Sequence, residues 1–212
     1  MRSKNDSNLY IKEDEYKNVA LISAYVDDLI ITRNACKLIE EIKNQLSHVF
    51  EMKDLGELHY CLGLEVWREP GKTLITQSKY TREILKRFNM IECKATSTPL
   101  EHNVKLCSDD GTKEVNGTMY RQLVGSLNYL TTTRPDIAYS VSILSQSMAK
   151  PCESHWKAAK KVLRYLKGTL NFGIMYTDEF DVELASYSDS DWARNQDDKN
   201  LPLDTCSILV QD

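Results

Sequence analysis

None of the six cysteines stands in a Cys-x-x-Cys pair, and the four histidines do not fall at zinc-finger spacings near them. The residues are Cys36, Cys61, Cys93, Cys107, Cys152 and Cys206, and their scatter fits unpaired thiols rather than a disulfide framework. No stretch approaches the roughly twenty apolar residues that a membrane span needs, and the residues from Met1 to Asp6 hold no apolar leader core. Net positive charge is absent too: 27 Lys and Arg against 31 Asp and Glu leave −4, which excludes a broadly basic nucleic-acid coat and leaves a local basic patch open. There is no internal repeat, so a solenoid is excluded. What remains is globular: 212 residues, 42% hydrophobic and 27% charged, enough for one large or two small domains. The expectation is a soluble intracellular protein, of cytoplasm or nucleus, with no membrane partner.

The most informative segment is Tyr25-Val26-Asp27-Asp28, flanked by Val19-Ala20-Leu21-Ile22-Ser23-Ala24 and by Leu29-Ile30-Ile31-Thr32. Adjacent carboxylates in an apolar setting lose hydration and repel each other unless a partner compensates. A hard divalent cation with oxygen ligands, magnesium above all, is the usual compensation. A strand–turn–strand with the acids at its tip presents them rigidly, as metal-dependent phosphoryl transfer requires. The alternative is an ordinary hairpin, because aspartate is a common turn residue. These four residues alone do not choose between the two.

Along the chain, Leu9-Tyr10-Ile11 and residues 19–32 read as strands, and residues 35–50 as a helix whose Leu38, Ile42, Leu46, Val49 and Phe50 make one apolar face. Residues 58–68 and 73–77 read as strands joined at Pro70-Gly71. Ser78 is placed to cap a helix that buries Tyr80, Ile84, Leu85 and Phe88. Residues 92–117 are polar and aperiodic, a linker. Three helices follow over 119–131, 135–149 and 154–168, the second opened by Pro135 and the third capped by Ser154, with Trp156, Ala159, Leu163 and Leu166 inward. Residues 182–189 and 205–210 return to strand composition. Strands, then helices, then strands predict an α+β fold with more than one structural unit, in which 19–32 and 58–77 form two hairpins of one antiparallel sheet backed by helix 35–50.

Tyr-Val-Asp-Asp in a hairpin resembles the active-site motif of reverse transcriptases. The segments after it resemble, in order and wording, the Pol polyprotein of copia-type LTR retrotransposons. They are Met52-Lys53-Asp54-Leu55-Gly56, Leu62-Gly63-Leu64-Glu65-Val66, Gln77-Ser78-Lys79-Tyr80 and Ser97-Thr98-Pro99-Leu100. Then come Tyr120-Arg121-Gln122-Leu123-Val124-Gly125-Ser126-Leu127, Thr133-Arg134-Pro135-Asp136-Ile137, His155-Trp156, Val162-Leu163-Arg164-Tyr165-Leu166-Lys167-Gly168-Thr169 and Ser188-Asp189-Ser190-Asp191-Trp192-Ala193. The resemblance covers about residues 8–193.

The resemblance implies a partial polymerase palm over 1–92, a linker over 93–117, a helical thumb or connection-like region over 118–177 and the start of an RNase H-like domain over 178–212. Asp27 and Asp28 match the paired metal aspartates that hold Mg2+. Tyr25 and Val26 match the residues that pack under the primer end, and 58–77 resembles the primer grip. Arg121, Gly125 and Tyr129, at i, i+4 and i+8, match the helix face that follows the minor groove of an RNA–DNA template–primer duplex. The alternative for this face is that Gly125 lets two helices pack closely and Tyr129 is core. Asp189 resembles the first metal aspartate of RNase H, ahead of Asp191.

Two departures bear on activity. The third metal carboxylate of the family lies on an earlier strand, and here only Asp6, Glu13, Asp14 and Glu15 precede the hairpin, without that motif. The basic fingers residues are absent likewise, so the resemblance implies the rear half of a reverse transcriptase, inactive alone unless a partner chain completes it. Arg194 and Leu201-Pro202-Leu203-Asp204 also replace an expected glycine and a Ser/Thr-Gly turn. A third possibility is a binding module without chemistry. Between Ser154 and Thr177, Lys157, Lys160, Lys161, Arg164 and Lys167 share one helix face with no acid among them, a face for backbone phosphates or simply a solvated one.

Overall fold

The structure, a computed structural model, describes residues 1–33, 36–101, 106, 111–178, 182–189 and 204–211; at 33, 36, 37, 182–189 and 204–211 the description is of the backbone. The chain divides into two compact units, Met1–Leu58 and His59–Asp212. The α+β expectation holds.

The first unit is a three-stranded antiparallel sheet, in the order β1 (Leu9–Glu13), β2 (Val19–Tyr25) and β3 (Asp28–Arg33), followed by helix α1 (Cys36–Val49). Leu38 and Ile42, one helical turn apart, bury themselves with Ala20 of β2, and Ile22, Ile31 and Leu46 pack around them. The apolar face expected of α1 stops there, because Val49 and Phe50 are exposed.

The second unit opens with β4 (Tyr60–Cys61), β5 (Leu64–Glu69) and β6 (Lys72–Thr76). Leu62 and Gly63 join β4 to β5 at φ 49° and 79°, the two left-handed residues of a tight hairpin. Pro70-Gly71 joins β5 to β6 as expected, Gly71 sitting at φ 73°. These strands do not extend the first sheet. A separate four-stranded sheet runs β4-β5-β6-β7, closed by a strand the sequence pattern missed, β7 (Gly173–Thr177). The expectation of one sheet holding both hairpins is corrected: β6 takes its outer partner from about a hundred residues downstream. Gly173 is obligatory there, since a Cβ would stand 2.2 Å from the Ile75 carbonyl oxygen.

Four helices build the main core: α2 (Ser78–Arg87), α3 (Gly117–Leu130), α4 (Ala138–Ser145) and α5 (Glu153–Gly168). The predicted stripe of α3, Tyr120, Leu123, Val124, Leu127 and Leu130, is wholly buried, against Ile84, Leu85, Val141, Leu144, Val162, Leu163 and Leu166. Each such side chain stabilises the fold by roughly 1.5–3 kcal/mol through burial. Asn116 caps α3 by accepting from the Met119 N–H. Helix α2 ends in a Schellman motif. Asn89 takes φ 55°, Met90 N donates to the Leu85 carbonyl at 2.7 Å and Asn89 N to that of Lys86 at 3.1 Å.

Other helix details differ from expectation. Ser78 does not cap α2: Gln77 holds the N-cap position and the Ser78 hydroxyl donates to the Leu170 carbonyl at 2.9 Å. Ser154 does not cap α5 either, because Cys152 and His155 form a capping box there. Pro135 starts a single 3-10 turn (Pro135–Ile137), and α4 ends at Ser145 rather than 149. Trp156 is half-buried, its ring edge-on to Phe88 with the centroids 6.2 Å apart. Of the linker, Cys93, Leu100 and Leu106 pack on the core, as does Ile91 just before it. Strands β8 (Val182–Asp189) and β9 (Asp204–Gln211) pair antiparallel, where strands were expected. No helix among the described residues is long and apolar enough to cross a membrane.

Candidate nucleic-acid interface

β2 and β3 pair from Ala20↔Arg33 to Tyr25↔Asp28, which leaves Val26 and Asp27 as a two-residue turn. A two-residue hairpin loop needs a left-handed first residue, and Val26 supplies it at φ 53°. For a β-branched residue that is a strained conformation, worth about 1–3 kcal/mol. Asparagine or glycine would make the same turn without strain. The turn is at the surface: Tyr25 is 53% and Val26 88% exposed, and Asp27 and Asp28 are exposed as well. The burial cost reasoned from the flanking sequence therefore does not arise, because the apolar flanks lie below the acids. Carboxylate oxygens are the donor type magnesium takes. Among the described residues, no group of three or more His, Cys, Asp or Glu stands together to hold a metal ion. The donor chemistry fits and the ligand number is two.

On α3 the expected triad does three different things. Gly125 is exposed, and a Cβ built there meets nothing within 4 Å. Close helix packing, the alternative reading, is therefore not what this glycine does among the described residues. Arg121 Nη1 donates to the Met148 carbonyl at 3.2 Å and lies over Gly117. Tyr129 stands edge-on to Tyr80, ring centroids 5.1 Å apart, and its hydroxyl donates to the Leu62 carbonyl in the β4–β5 turn. That tie fixes α3 to the hairpin resembling the primer grip while leaving the residue 39% exposed.

The basic face of α5 is largely committed within the fold. Lys161 pairs with Glu101 at 2.9 Å, which holds the Glu101 carboxyl below its ordinary pKa through their hydrogen bond. Arg164 Nε donates to the Lys94 carbonyl at 2.7 Å. Lys160 lies 5.5 Å over the Trp156 ring, and Lys157 reaches Glu153 at 3.7 Å in an exposed i,i+4 pair that contributes little. Lys167 is half-buried at the end of the row. Asp189 ends β8, in register with Asp204 of β9; Asp191 and Arg194 lie outside the described residues.

Thr133-Arg134-Pro135-Asp136-Ile137, carried as wording alone in the sequence, proves structural. Arg134 is buried to 2% and grips Asp136 through Nε at 2.9 Å and Nη2 at 2.7 Å. It also donates to the Thr169 carbonyl (2.9 Å) and hydroxyl (2.7 Å), joining the start of the 3-10 turn to the end of α5. Tyr165 donates to Asp136 at 2.8 Å, and the Thr133 hydroxyl to buried Gln77 at 2.7 Å. Burial raises the Asp136 pKa, but the hydrogen bonds from Arg134 and Tyr165 outweigh it and the carboxyl sits below its ordinary value.

Comparison with known proteins places this construction. Residues 1–102 match the family described as reverse transcriptase (RNA-dependent DNA polymerase). The chain is 42% identical over 198 residues to the retrovirus-related Pol polyprotein from transposon RE1 of Arabidopsis thaliana, covering 93% of this chain and 13% of that protein. It is 36% identical over 208 residues to that from transposon TNT 1-94 of Nicotiana tabacum, covering 94% and 16%. An uncharacterized mitochondrial protein of Arabidopsis thaliana, AtMg00810, is 38% identical over 87% of this chain and 77% of its own length. The chain belongs to the reverse transcriptase family of copia-type, retrovirus-related Pol polyproteins. It spans about 13–14% of the length of the RE1 and RE2 polyproteins it matches. No solved structure is significantly similar to it.

Proposed function

We propose that this chain holds an RNA–DNA template–primer duplex and does not by itself extend the primer. Two surfaces support the reading, one in each unit. The observation that carries it is Gly125: among the described residues nothing packs on this exposed helix glycine, which suits close approach of a duplex groove. Tyr129 borders it with a partly exposed ring, and Arg121 a turn earlier supplies a guanidinium. In the first unit, Tyr25 and Val26 present apolar surface to the primer end beside Asp27 and Asp28.

Asp27 and Asp28 would be the residues that hold Mg2+, which when bound stabilises the charge of an in-line phosphoryl displacement. Two carboxylates do not fix two ions in the geometry that displacement needs, so no step is assigned to this chain alone. The palm-like, linker, thumb-like and RNase H-like segmentation at 92, 117 and 177 belongs to the same proposal, as does a metal role for Asp189. Among the basic residues of α5, Lys157 and Lys160 are the freest to meet phosphates, with Lys161, Arg164 and Lys167 supporting them from partly buried positions.

Fluorescence anisotropy with a labelled RNA–DNA hybrid tests binding: log K should fall linearly with log salt between about 50 and about 200 mM, by roughly 0.9 per phosphate neutralised. In parallel, a poly-A template with oligo-dT, magnesium and thymidine triphosphate should show no extension. Binding indifferent to salt and no tighter than that of an inert protein would refute the duplex reading. Extension that Asp27→Asn abolishes would refute the inactivity.

A further inference from the structure

The sequence points to α5 as the basic face, but the fold leaves its freest row of cations on α2. From Ser78 to Arg87 the helix carries Lys79, Arg82, Lys86 and Arg87 against a single acid, Glu83. All five are exposed. Of the five cations on α5 only Lys157 is exposed, and Lys161 and Arg164 are held by Glu101 and by the Lys94 carbonyl. Among the described residues, no acid forms an ion pair with any of the four cations of α2, Glu83 included.

Lys79, Arg82 and Lys86 stand at i, i+3 and i+7, which puts them on one side of the helix. Thr81, Ile84, Leu85 and Phe88 bury the other side and hold the row in place. At about 1.5 Å per residue the row is roughly 10 Å long. The electrostatics of the helix explains only part of it. Lys86 and Arg87 lie in the last turn, where the negative end of the helix dipole favours cations. Lys79 lies in the first turn, where the dipole disfavours positive charge and where α2 itself has no acid. Arg82 is at mid-helix and gains nothing from either end.

The row also begins beside the surface proposed for the duplex. Tyr80, the neighbour of Lys79, stands edge-on to Tyr129 with the centroids 5.1 Å apart. Lys79 Nζ lies 4.9 Å over the ring of Tyr60 in β4, and the Tyr129 hydroxyl is bonded to the turn that follows that strand. The partner such a row fits is a regularly spaced polyanion. Backbone phosphates meet an ammonium as a point charge and a guanidinium as a two-pronged donor, so Lys79 and Lys86 supply the first and Arg82 the second. In a chain of net charge −4 this is a local basic patch rather than a general coat.

We propose that the Lys79–Arg82–Lys86 side of α2 binds the backbone phosphates of the RNA–DNA hybrid as a continuation of the Gly125 face. The inference deepens the duplex-binding reading and rests on it for the partner.

The test uses the full 212-residue chain and hybrid anisotropy across the salt series. Arg82→Gln with Lys86→Gln, at exposed positions where glutamine keeps the helix, should flatten the salt slope by about two and weaken binding about tenfold or more at about 150 mM salt. Arg82→Lys with Lys86→Arg should retain the parent slope. Lys4→Gln with Lys53→Gln removes two exposed charges elsewhere and should leave the slope unchanged. Glu83→Gln should tighten binding, by about two- to threefold, because it removes a repulsive charge beside the row. Amine acetylation read by mass spectrometry should show Lys79 and Lys86 protected by the hybrid while Lys4 and Lys53 are not. An unchanged slope in the α2 double variant, equal flattening by the Lys4 and Lys53 pair, weaker binding by Glu83→Gln, or unprotected Lys79 and Lys86 would overturn the inference. Hybrid binding with any of these results sinks the α2 row alone. If the parent chain does not bind the hybrid, the duplex reading falls, and the same variants on single-stranded oligo-dT decide the row: a flattened slope there keeps it as a phosphate site, and an unchanged slope removes it too.

Discussion

Replacing Val26 should stabilise the hairpin that presents the two aspartates. Val26 holds φ 53° with its side chain 88% exposed, so the strain is present and almost no burial offsets it. A left-handed L-residue costs about 1–2 kcal/mol, and a β-branched one lies toward the top of that range. Asparagine tolerates the conformation and recovers most of this, about 1 kcal/mol or slightly more. Glycine removes the strain entirely but loses roughly 0.5–1 kcal/mol in chain entropy, for a net gain of about 0.5–1 kcal/mol. Alanine relieves only the branching and gains less. Native-state amide hydrogen exchange of β2 and β3 reads the first unit locally. A gain of about 1 kcal/mol slows exchange roughly fivefold, since about 1.4 kcal/mol is a factor of ten. The expected order of protection is Asn above Gly, Gly above Ala and Ala above Val. If Val26→Asn exchanges faster than the parent chain, the valine is making a favourable contact and the strain argument is wrong. The same series should lower hybrid affinity, because the exposed valine is the apolar surface offered to the primer end.

Arg134→Ala leaves Asp136 without its guanidinium and cuts four hydrogen bonds. With Asp136 31% exposed, the loss should sit at the low end of the range for broken buried pairs, about 3 kcal/mol, read from urea midpoints. The Asp136 carboxyl is depressed in the folded chain, so its contribution is fully present above about pH 4 and is lost as pH falls through the folded-state value; in Arg134→Ala that acid loss should shrink. Tyr129→Phe removes the hydrogen bond to the Leu62 carbonyl and should cost roughly 0.5–1.5 kcal/mol, whereas Tyr129→Ala should also lower hybrid affinity with little change in salt slope. Gln at both Lys157 and Lys160 should flatten the salt slope by about two without loss of stability, while Arg164→Gln should lower the melting temperature, because its Nε holds the Lys94 carbonyl.

The sequence made the local elements legible wherever one period decided them. The stripe from Tyr120 to Leu130 lies in the core as its 3.6-residue spacing demands, and the Pro70-Gly71 turn falls where its residues point; the hairpin at 19–32 forms too, but its turn holds Val26 and Asp27 rather than the two aspartates. What was not legible depends on distant partners. Strand β7 is five residues whose pairing with β6 gives them their identity, and the separation of the two sheets is decided by that pairing. Ser78 and Ser154 are good caps by type, but the Ser78 hydroxyl found the Leu170 carbonyl and the Cys152–His155 pair closed α5 first. The basic row on α5 reads as free charge along the chain. Its partners Glu101 and the Lys94 carbonyl lie 60 and 70 residues away, beyond any local pattern. The paired aspartates were legible by motif, while their exposure and the strain at Val26 needed coordinates.

Gly125→Leu measured for both stability and hybrid affinity tests the central claim most directly. A Cβ at 125 meets nothing within 4 Å among the described residues, and leucine in place of a mid-helix glycine should raise stability by about 0.5–1 kcal/mol. If this face receives the duplex groove, the same variant should lose hybrid binding by tenfold or more while melting at a higher temperature than the parent. A stabilised variant that binds the hybrid as well as the parent chain would contradict the account.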